Sequence, residues 1–165
     1  MKEIKPEELT DNPFSLIGND WMLITAEKDS RVNMMTASWG QLGIMWNKPV
    51  VNIFIRESRF TKTFIDSNET FTLCILPEEY RDALKICGSK TGRDTDKVQK
   101  TGLTVKHDGS LPYFAESRLV LECRKLYSQP MPESAFSVKD IYKTVYPTND
   151  LHTQYICEIT RILTK

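Results

Sequence analysis

Apolar and polar residues alternate with a period of two over several stretches, as expected of strands with two unlike faces. In Val50-Val51-Asn52-Ile53-Phe54-Ile55-Arg56, residues Val51, Ile53 and Ile55 share one face, and Asn52, Phe54 and Arg56 share the other. Glu69–Leu76 alternates likewise, with Thr70, Thr72 and Cys74 set against Phe71, Leu73 and Ile75. Trp21–Ala26 and Val32–Trp39 flank the polar run Glu27–Arg31 and predict a β-hairpin. Arg118–Tyr127 and Tyr155–Leu163 predict two long strands. The spacing turns helical at Phe60 and Phe64, with Ser58 in the N-cap position. A second helix is predicted from Pro77, with Glu78 and Glu79 in its first turn and Gly88 as its stop. At least six strands with two or three short helices do not alternate as a doubly wound parallel sheet requires. The prediction is a mainly β chain, a mostly antiparallel barrel or sandwich with short α insertions.

Residues 1–19, with Pro6 and Pro13, carry little of this pattern and read as an N-terminal arm, leaving 20–165 as one domain. Lys plus Arg total 22 and Asp plus Glu total 22, so the formal net charge is zero. That balance argues against nucleic acid or an anionic membrane as a general partner, since each requires a broadly basic face. It leaves room for a local cluster. No apolar run of membrane-spanning length occurs, and the charged start Met1–Asp11 lacks the apolar stretch of a secretory signal. Cys74, Cys87, Cys123 and Cys157 form no CxxC pair and sit in or beside apolar runs, as buried thiols of a reducing compartment do. A cytoplasmic protein is expected, with no metal site.

Three segments carry candidate chemistry. Arg56-Glu57-Ser58-Arg59-Phe60-Thr61-Lys62 sets two Arg, two hydroxyls and a Lys where a strand gives way to a helix. Free amides at a helix start attract an anion, and guanidinium forks suit phosphate oxygens. The same residues also fit a solvated, Ser-capped helix start. Cys87-Gly88-Ser89-Lys90-Thr91-Gly92-Arg93-Asp94 lacks the glycine placement of a P-loop and follows a helix, so it reads as a flexible polar loop or as a donor loop for phosphate. Asn33-Met34-Met35-Thr36-Ala37-Ser38-Trp39-Gly40 offers small hydroxyls and amides beside an aromatic, suited to the rim of a planar ring or simply to an ordinary strand. His107 reads as a solvent-facing residue. His152, just before a strand, is open between a ligand contact and a structural histidine.

Together and in order, these segments resemble the flavin reductase-like family of FMN-binding split barrels, nearest to its flavoredoxin-type members. The resemblance rests on Asn33–Trp39, Lys48-Pro49-Val50-Val51, Arg56–Thr61, Phe71–Leu76, Cys87-Gly88-Ser89, and the late His152 with Glu158-Ile159, and spans about residues 20 to 159. It implies a six-stranded antiparallel split barrel with Greek-key connections, paired as a homodimer with FMN near the interface. It implies an FMN-binding oxidoreductase that passes electrons from NAD(P)H or a protein donor. The alternatives are an electron-transfer flavoprotein without autonomous NAD(P)H activity, or a non-catalytic flavin-binding or sensing barrel. The cofactor-binding residues it implies are Asn33, Thr36, Ala37, Ser38 and Trp39 around the ring. Arg56, Ser58, Arg59, Thr61, Lys62, Cys87, Gly88, Ser89 and Lys90 are implied around the phosphate. His152 is assigned to the nicotinamide or to ring positioning, and no catalytic acid or base is named. Trp39 stands where diffusible-flavin reductases of the family often carry a small polar residue, which implies FMN retained as a prosthetic group.

Overall fold

Ten strands and five short helices form along residues 1–165, all of which the computed structural model describes. The strands are β1 (Lys2–Ile4), β2 (Met22–Lys28), β3 (Arg31–Ala37), β4 (Gly40–Met45), β5 (Lys48–Arg56), β6 (Thr70–Ile75), β7 (Val105–Asp108), β8 (Leu111–Phe114), β9 (Leu119–Pro130) and β10 (His152–Thr164). The helices are α1 (Pro13–Ser15), α2 (Phe60–Ser67), α3 (Arg81–Ser89), α4 (Lys97–Thr101) and α5 (Lys139–Val145). Eight strands make one antiparallel sheet in the order β3-β2-β6-β9-β10-β5-β4, with β1 also pairing β10, while β7 and β8 pair separately. The sheet therefore has eight strands rather than the six expected. The additions are short edge pieces: β1 pairs only Lys2–Ile4 with Ile162–Thr164, and β4 contains Gly40 and Gly43 and lacks an alternating pattern.

The two outer strands of the path, β3 and β4, are joined by only Ser38 and Trp39. Two intervening residues reach at most about 11 Å at 3.8 Å per Cα step. The sheet must therefore curl until its edges nearly meet, leaving a split at Ser38–Trp39. The polar run predicted as a turn narrows to Asp29 and Ser30, both at positive φ, the geometry of a two-residue hairpin. Trp46 and Asn47 repeat it between β4 and β5.

Strand alternation builds two cores. Ile24, Met35, Leu73, Leu121 and Phe71 fill the barrel, while their sequence neighbours Leu23, Met34, Cys74 and Val120 pack outward against Ala83, Leu84 and Cys87 of α3. Cys74 and Cys87 lie in the outer core, Cys123 and Cys157 in the barrel, and all four are free thiols. Tyr155 is buried in the barrel, and its hydroxyl donates to Asp66 Oδ1 at 2.5 Å, tying β10 to α2. Helix α3 runs through Gly88 to Ser89, and a Cβ on Gly88 would lie 3.4 Å from Thr36 Cβ. This glycine lies where α3 approaches β3 and does not end the helix. No helix is long and apolar enough to cross a membrane.

Candidate functional site

Strand β5 ends at Arg56, and the chain turns through Glu57–Arg59 into α2, whose N-cap is Arg59 rather than Ser58. Ser58 is engaged elsewhere: its N–H donates to Asp150 Oδ1 at 3.0 Å and its hydroxyl to Asp150 Oδ2 at 2.6 Å. Arg56 donates to the carbonyls of Asp150 (2.8 Å) and Val145 (3.1 Å), and its guanidinium lies 5.1 Å from the Tyr146 ring centroid. The 131–151 excursion is thus clasped to the end of β5. Its helix α5 brings Tyr146 to β10, where the phenol meets His152 Nδ1 at 2.8 Å.

Two cavities share Met35, Arg56 and Arg59 in their walls. The smaller, about 190 Å³, is a slot between the end of β3 and the start of β10, lined also by Thr36, Ala37, Ser38, Trp39, Phe54 and His152. The larger, about 470 Å³, lies over the start of α2 and is lined by Ser58, Phe60, Thr61, Ser89, Lys90, Thr91, Gly92, Arg93, Asp94 and Lys97 besides the shared three. Its wall holds five cationic residues, Arg56, Arg59, Lys90, Arg93 and Lys97, against Asp94 alone. A third cavity of about 480 Å³ lies beyond Trp39 and shares Ser38, Trp39 and Phe54 with the slot; no charged residue lines it.

The last turn of α3 holds two of the cations. Its carbonyls carry the negative end of the helix dipole and lack intrahelical partners. Gly88 O accepts from Arg59 Nη1 at 2.7 Å, and Cys87 O accepts from Lys97 Nζ at 3.1 Å. Cys87 and Gly88 therefore contribute carbonyls that position cations, while the Cys87 thiol is buried in the outer core, where burial pushes it up to about 11. Arg93 donates to Ser58 O at 3.3 Å and lies 5.1 Å from the Phe60 ring, and Arg31 donates to Gly92 O. Gly92 is required where it stands: a Cβ there would collide with Asn33 Oδ1 and come within 2.9 Å of Phe60 Cδ1.

Of the residues expected around a cofactor, Thr36–Trp39 and His152 line the slot, Ser58, Thr61, Ser89 and Lys90 line the cationic cavity, and Arg56 and Arg59 line both. Asn33, Lys62, Cys87 and Gly88 do not line them. Asn33 is buried and donates to Thr61 Oγ1 at 2.9 Å, bracing β3 against α2. Lys62 points to Asp66 (2.7 Å) and Glu57 (3.5 Å), because the helical turn carries it off the face that Arg59 presents. Thr36 lines the slot while its hydroxyl donates to Leu84 O at 2.5 Å. Trp39 is 51% exposed, lies outside the ladder of β3, and stands 5.3 Å from the His152 ring, dividing the slot from the apolar cavity. Sequence reasoning missed Met35, Phe54, Arg93, Lys97 and Tyr146. Arg93 stood in a loop already flagged, whereas Lys97 and Tyr146 carried no local signal.

His152 is 7% exposed. Burial, reinforced by the Arg56 guanidinium, pushes its imidazole from the ordinary 6.5 down to about 4. It is neutral at pH 7 and offers one ring nitrogen for hydrogen bonding besides the one facing Tyr146. Between pH 6.5 and 4 the unfolded chain takes a proton that the folded one refuses. Stability from this residue is therefore complete above 6.5 and falls as pH drops toward 4, by about 2 kcal/mol at pH 5. A His152→Gln variant should lose less melting temperature than the parent between pH 7 and pH 5. An equal loss would locate the acid sensitivity elsewhere.

A family model described as "Flavin reductase like domain" matches residues 14–165. An Escherichia coli K12 protein, "Uncharacterized protein YddH", is 30% identical over 151 residues, covering 88% of this chain and 76% of the relative. Flavoredoxin from Methanosarcina acetivorans superposes with a TM-score of 0.71 at 18% identity, covering 100% of this chain and 76% of that one. The FMN-binding domain of a flavin reductases-like enzyme from Shewanella baltica gives 0.69 at 17% identity, covering 98% and 75%.

Proposed function

The chain belongs to the flavin reductase-like family, and we propose that it binds FMN and works as an FMN-dependent oxidoreductase. The observation that carries this reading is an adjacent pair of cavities, a slot walled by Trp39, Phe54 and His152 that shares Met35, Arg56 and Arg59 with a cationic chamber. A planar ring ending in a phosphate has that division of chemistry. The donor set fits the phosphate: arginine forks, the first turn of α2 and the Lys90–Arg93 loop converge on one cavity. The slot fits the ring, since its aromatic and small residues leave backbone amides of the Ser38–Trp39 link outside the sheet ladder.

When bound, FMN would supply the hydride chemistry, and no protein acid or base is required for that step. Within the reading, Arg56 and Arg59 hold the phosphate end and so fix where the ring lies. Ser38, Trp39 and the neutral His152 set the ring's edge contacts, and Tyr146 keeps the imidazole oriented. The apolar cavity beyond Trp39 leaves room for a second reactant beside the ring. That cavity also favours a second reading: with no charged residue in its wall, it offers the phosphates of NAD(P)H no partner. An electron-transfer flavoprotein served by a protein donor fits this observation.

We propose further that the protein acts as a homodimer. Edge strand β4 and its turn expose Ile44, Met45 and Trp46, an apolar row suited to a second copy. The buried free thiols are consistent with a reducing, cytoplasmic setting. One preparation tests all three points. The purified protein should be yellow or gain a flavin spectrum on adding FMN, and it should scatter light as twice 19.1 kDa. NADH and NADPH oxidation, with and without added flavin, then separates an autonomous oxidoreductase from an electron carrier. A protein that never binds FMN would refute the flavin reading, and a monomer would refute the dimer.

A further inference from the structure

The two ring nitrogens of His152 have unlike surroundings. Nδ1 meets the Tyr146 hydroxyl at 2.8 Å, whereas Nε2 forms no hydrogen bond within the chain. The fully enclosed side-chain atoms that lack a partner are Asn52 Oδ1 and Ser117 Oγ. The unpaired Nε2 is therefore open, and the slot is the cavity whose wall the imidazole forms. Tyr146 is 5% exposed, and its hydroxyl makes this one hydrogen bond. A phenol can donate or accept, but each nitrogen of a neutral imidazole does only one of the two. Were Nδ1 to carry the ring proton, the buried phenolic hydrogen would be left without an acceptor, which costs more than the bond it replaces gains. With the phenol donating, both groups are satisfied, and the single ring proton must sit on Nε2. The Arg56 guanidinium, 5.1 Å from the phenol ring centroid, strengthens that donor by its charge. Burial and then Arg56 keep the imidazole from taking a second proton.

We propose that Tyr146 is a positioning residue that locks His152 as its Nε2–H tautomer, so that the slot presents one fixed, uncharged donor to an acceptor atom on the edge of the bound ring. The inference rests on the flavin reading above and deepens it, because it gives the slot a hydrogen-bonding sense. A carbonyl oxygen or a bare ring nitrogen is accepted beside His152. A ring N–H is refused there, since the tautomer able to accept from it would strand the phenolic proton. Trp39 and Tyr146 flank the imidazole at 5.3 and 5.6 Å between ring centroids and fix its plane, and the hydroxyl fixes its proton. Tyr146 is delivered by the 131–151 excursion, which Arg56 holds through Val145 O and Asp150 O and Ser58 holds through the Asp150 carboxylate. An element outside the sheet thus decides what the first residue of β10 can recognise.

The chain has two histidines, His107 and His152, so nitrogen NMR of the isotope-labelled full-length protein reads each imidazole, with His107→Gln identifying the signals. At pH 7 and without flavin, His152 should show a bare Nδ1 and a protonated Nε2. Tyr146→Phe should show a mixture of the two tautomers. A protonated Nδ1 in the parent, or one unchanged tautomer in Tyr146→Phe, overturns the inference while leaving the flavin reading intact. Quenching of flavin fluorescence then measures the consequence for binding. Tyr146→Phe should weaken FMN and riboflavin alike, by about three- to tenfold, the size of one lost neutral hydrogen bond. In a His152→Gln background, whose amide donor has no tautomer to fix, the same substitution should change affinity less than about twofold. Equal losses in the two backgrounds would mean that Tyr146 acts by packing alone, and would overturn the inference. If Tyr146→Phe does not fold, the parent spectrum still decides. A parent protein with the fixed tautomer that binds neither flavin overturns the flavin reading and the ring-edge acceptor, and leaves the Tyr146–His152 lock standing.

Discussion

Arg59→Glu is expected to lower FMN affinity by about 100-fold or more while affecting riboflavin far less. Arg59 is the one cation whose position is set by a helix terminus and which lines both cavities, with Nη1 held by Gly88 O at 2.7 Å. A lost charge-assisted hydrogen bond to a phosphate costs about 1.5–3 kcal/mol. A carboxylate in its place adds repulsion at short range, so a total near 3 kcal/mol, or about 100-fold, follows. Arg56→Glu is a less clean probe. That guanidinium also ties down the 131–151 excursion through Val145 O and Asp150 O, so its loss disturbs Tyr146 and His152 as well. Titration of the Arg59→Glu apoprotein with FMN and riboflavin checks the expectation, and undiminished FMN affinity would place the phosphate elsewhere.

Phe71→Ala should destabilise the protein by about 3–5 kcal/mol, the usual cost of emptying a buried aromatic site. Phe71 is fully buried near the start of β6, opposite Cys123 of β9, with its side chain in the barrel core. Barrel walls on both sides restrict collapse into the void. A domain of this size is typically stable by only about 5–15 kcal/mol, so the loss should appear as a clear fall in the denaturant midpoint. A midpoint shift equivalent to under about 1 kcal/mol would mean the barrel interior is not close-packed at this layer. Residues of the phosphate turn lie outside that layer, so flavin selectivity of the folded fraction should be retained.

The central strands were legible because each repeats a two-residue alternation that burial enforces. Val51, Ile53 and Ile55 face the barrel as their spacing indicates, and Phe71, Leu73 and Ile75 do the same. The edges were not legible. Strand β4 is Gly-Gln-Leu-Gly-Ile-Met, with no residue fully buried and paired on one side only along the sheet path, so burial writes little pattern into it. Strand β1 is three residues long and exists because β10 extends past the start of β5 and leaves a vacant ladder. Helix α5 is tied to the end of β5 by the Arg56 clasp and to β10 by the Tyr146–His152 contact, which no local spacing encodes.

The candidate site divides along the same line. The Arg56–Thr61 turn is local: strand, polar turn and helix follow one another in nine or ten residues, and their chemistry can be read in place. Whether a given side chain joins the cavity depends on which elements crowd it. Ser58 is claimed by Asp150, ninety-two residues later, and Lys62 by its own helix neighbour Asp66. Cys87 gives its carbonyl rather than its thiol. Lys97 enters from a helix with no motif at all. By itself the sequence determined the alternating barrel strands, the charged turn and the family, because local periodicity and residue chemistry survive without knowledge of contacts. Only the tertiary structure decided which cations face one cavity, where the barrel splits, and that His152 is neutral. Those are properties of burial and of carbonyls brought together from strands and helices distant in the chain.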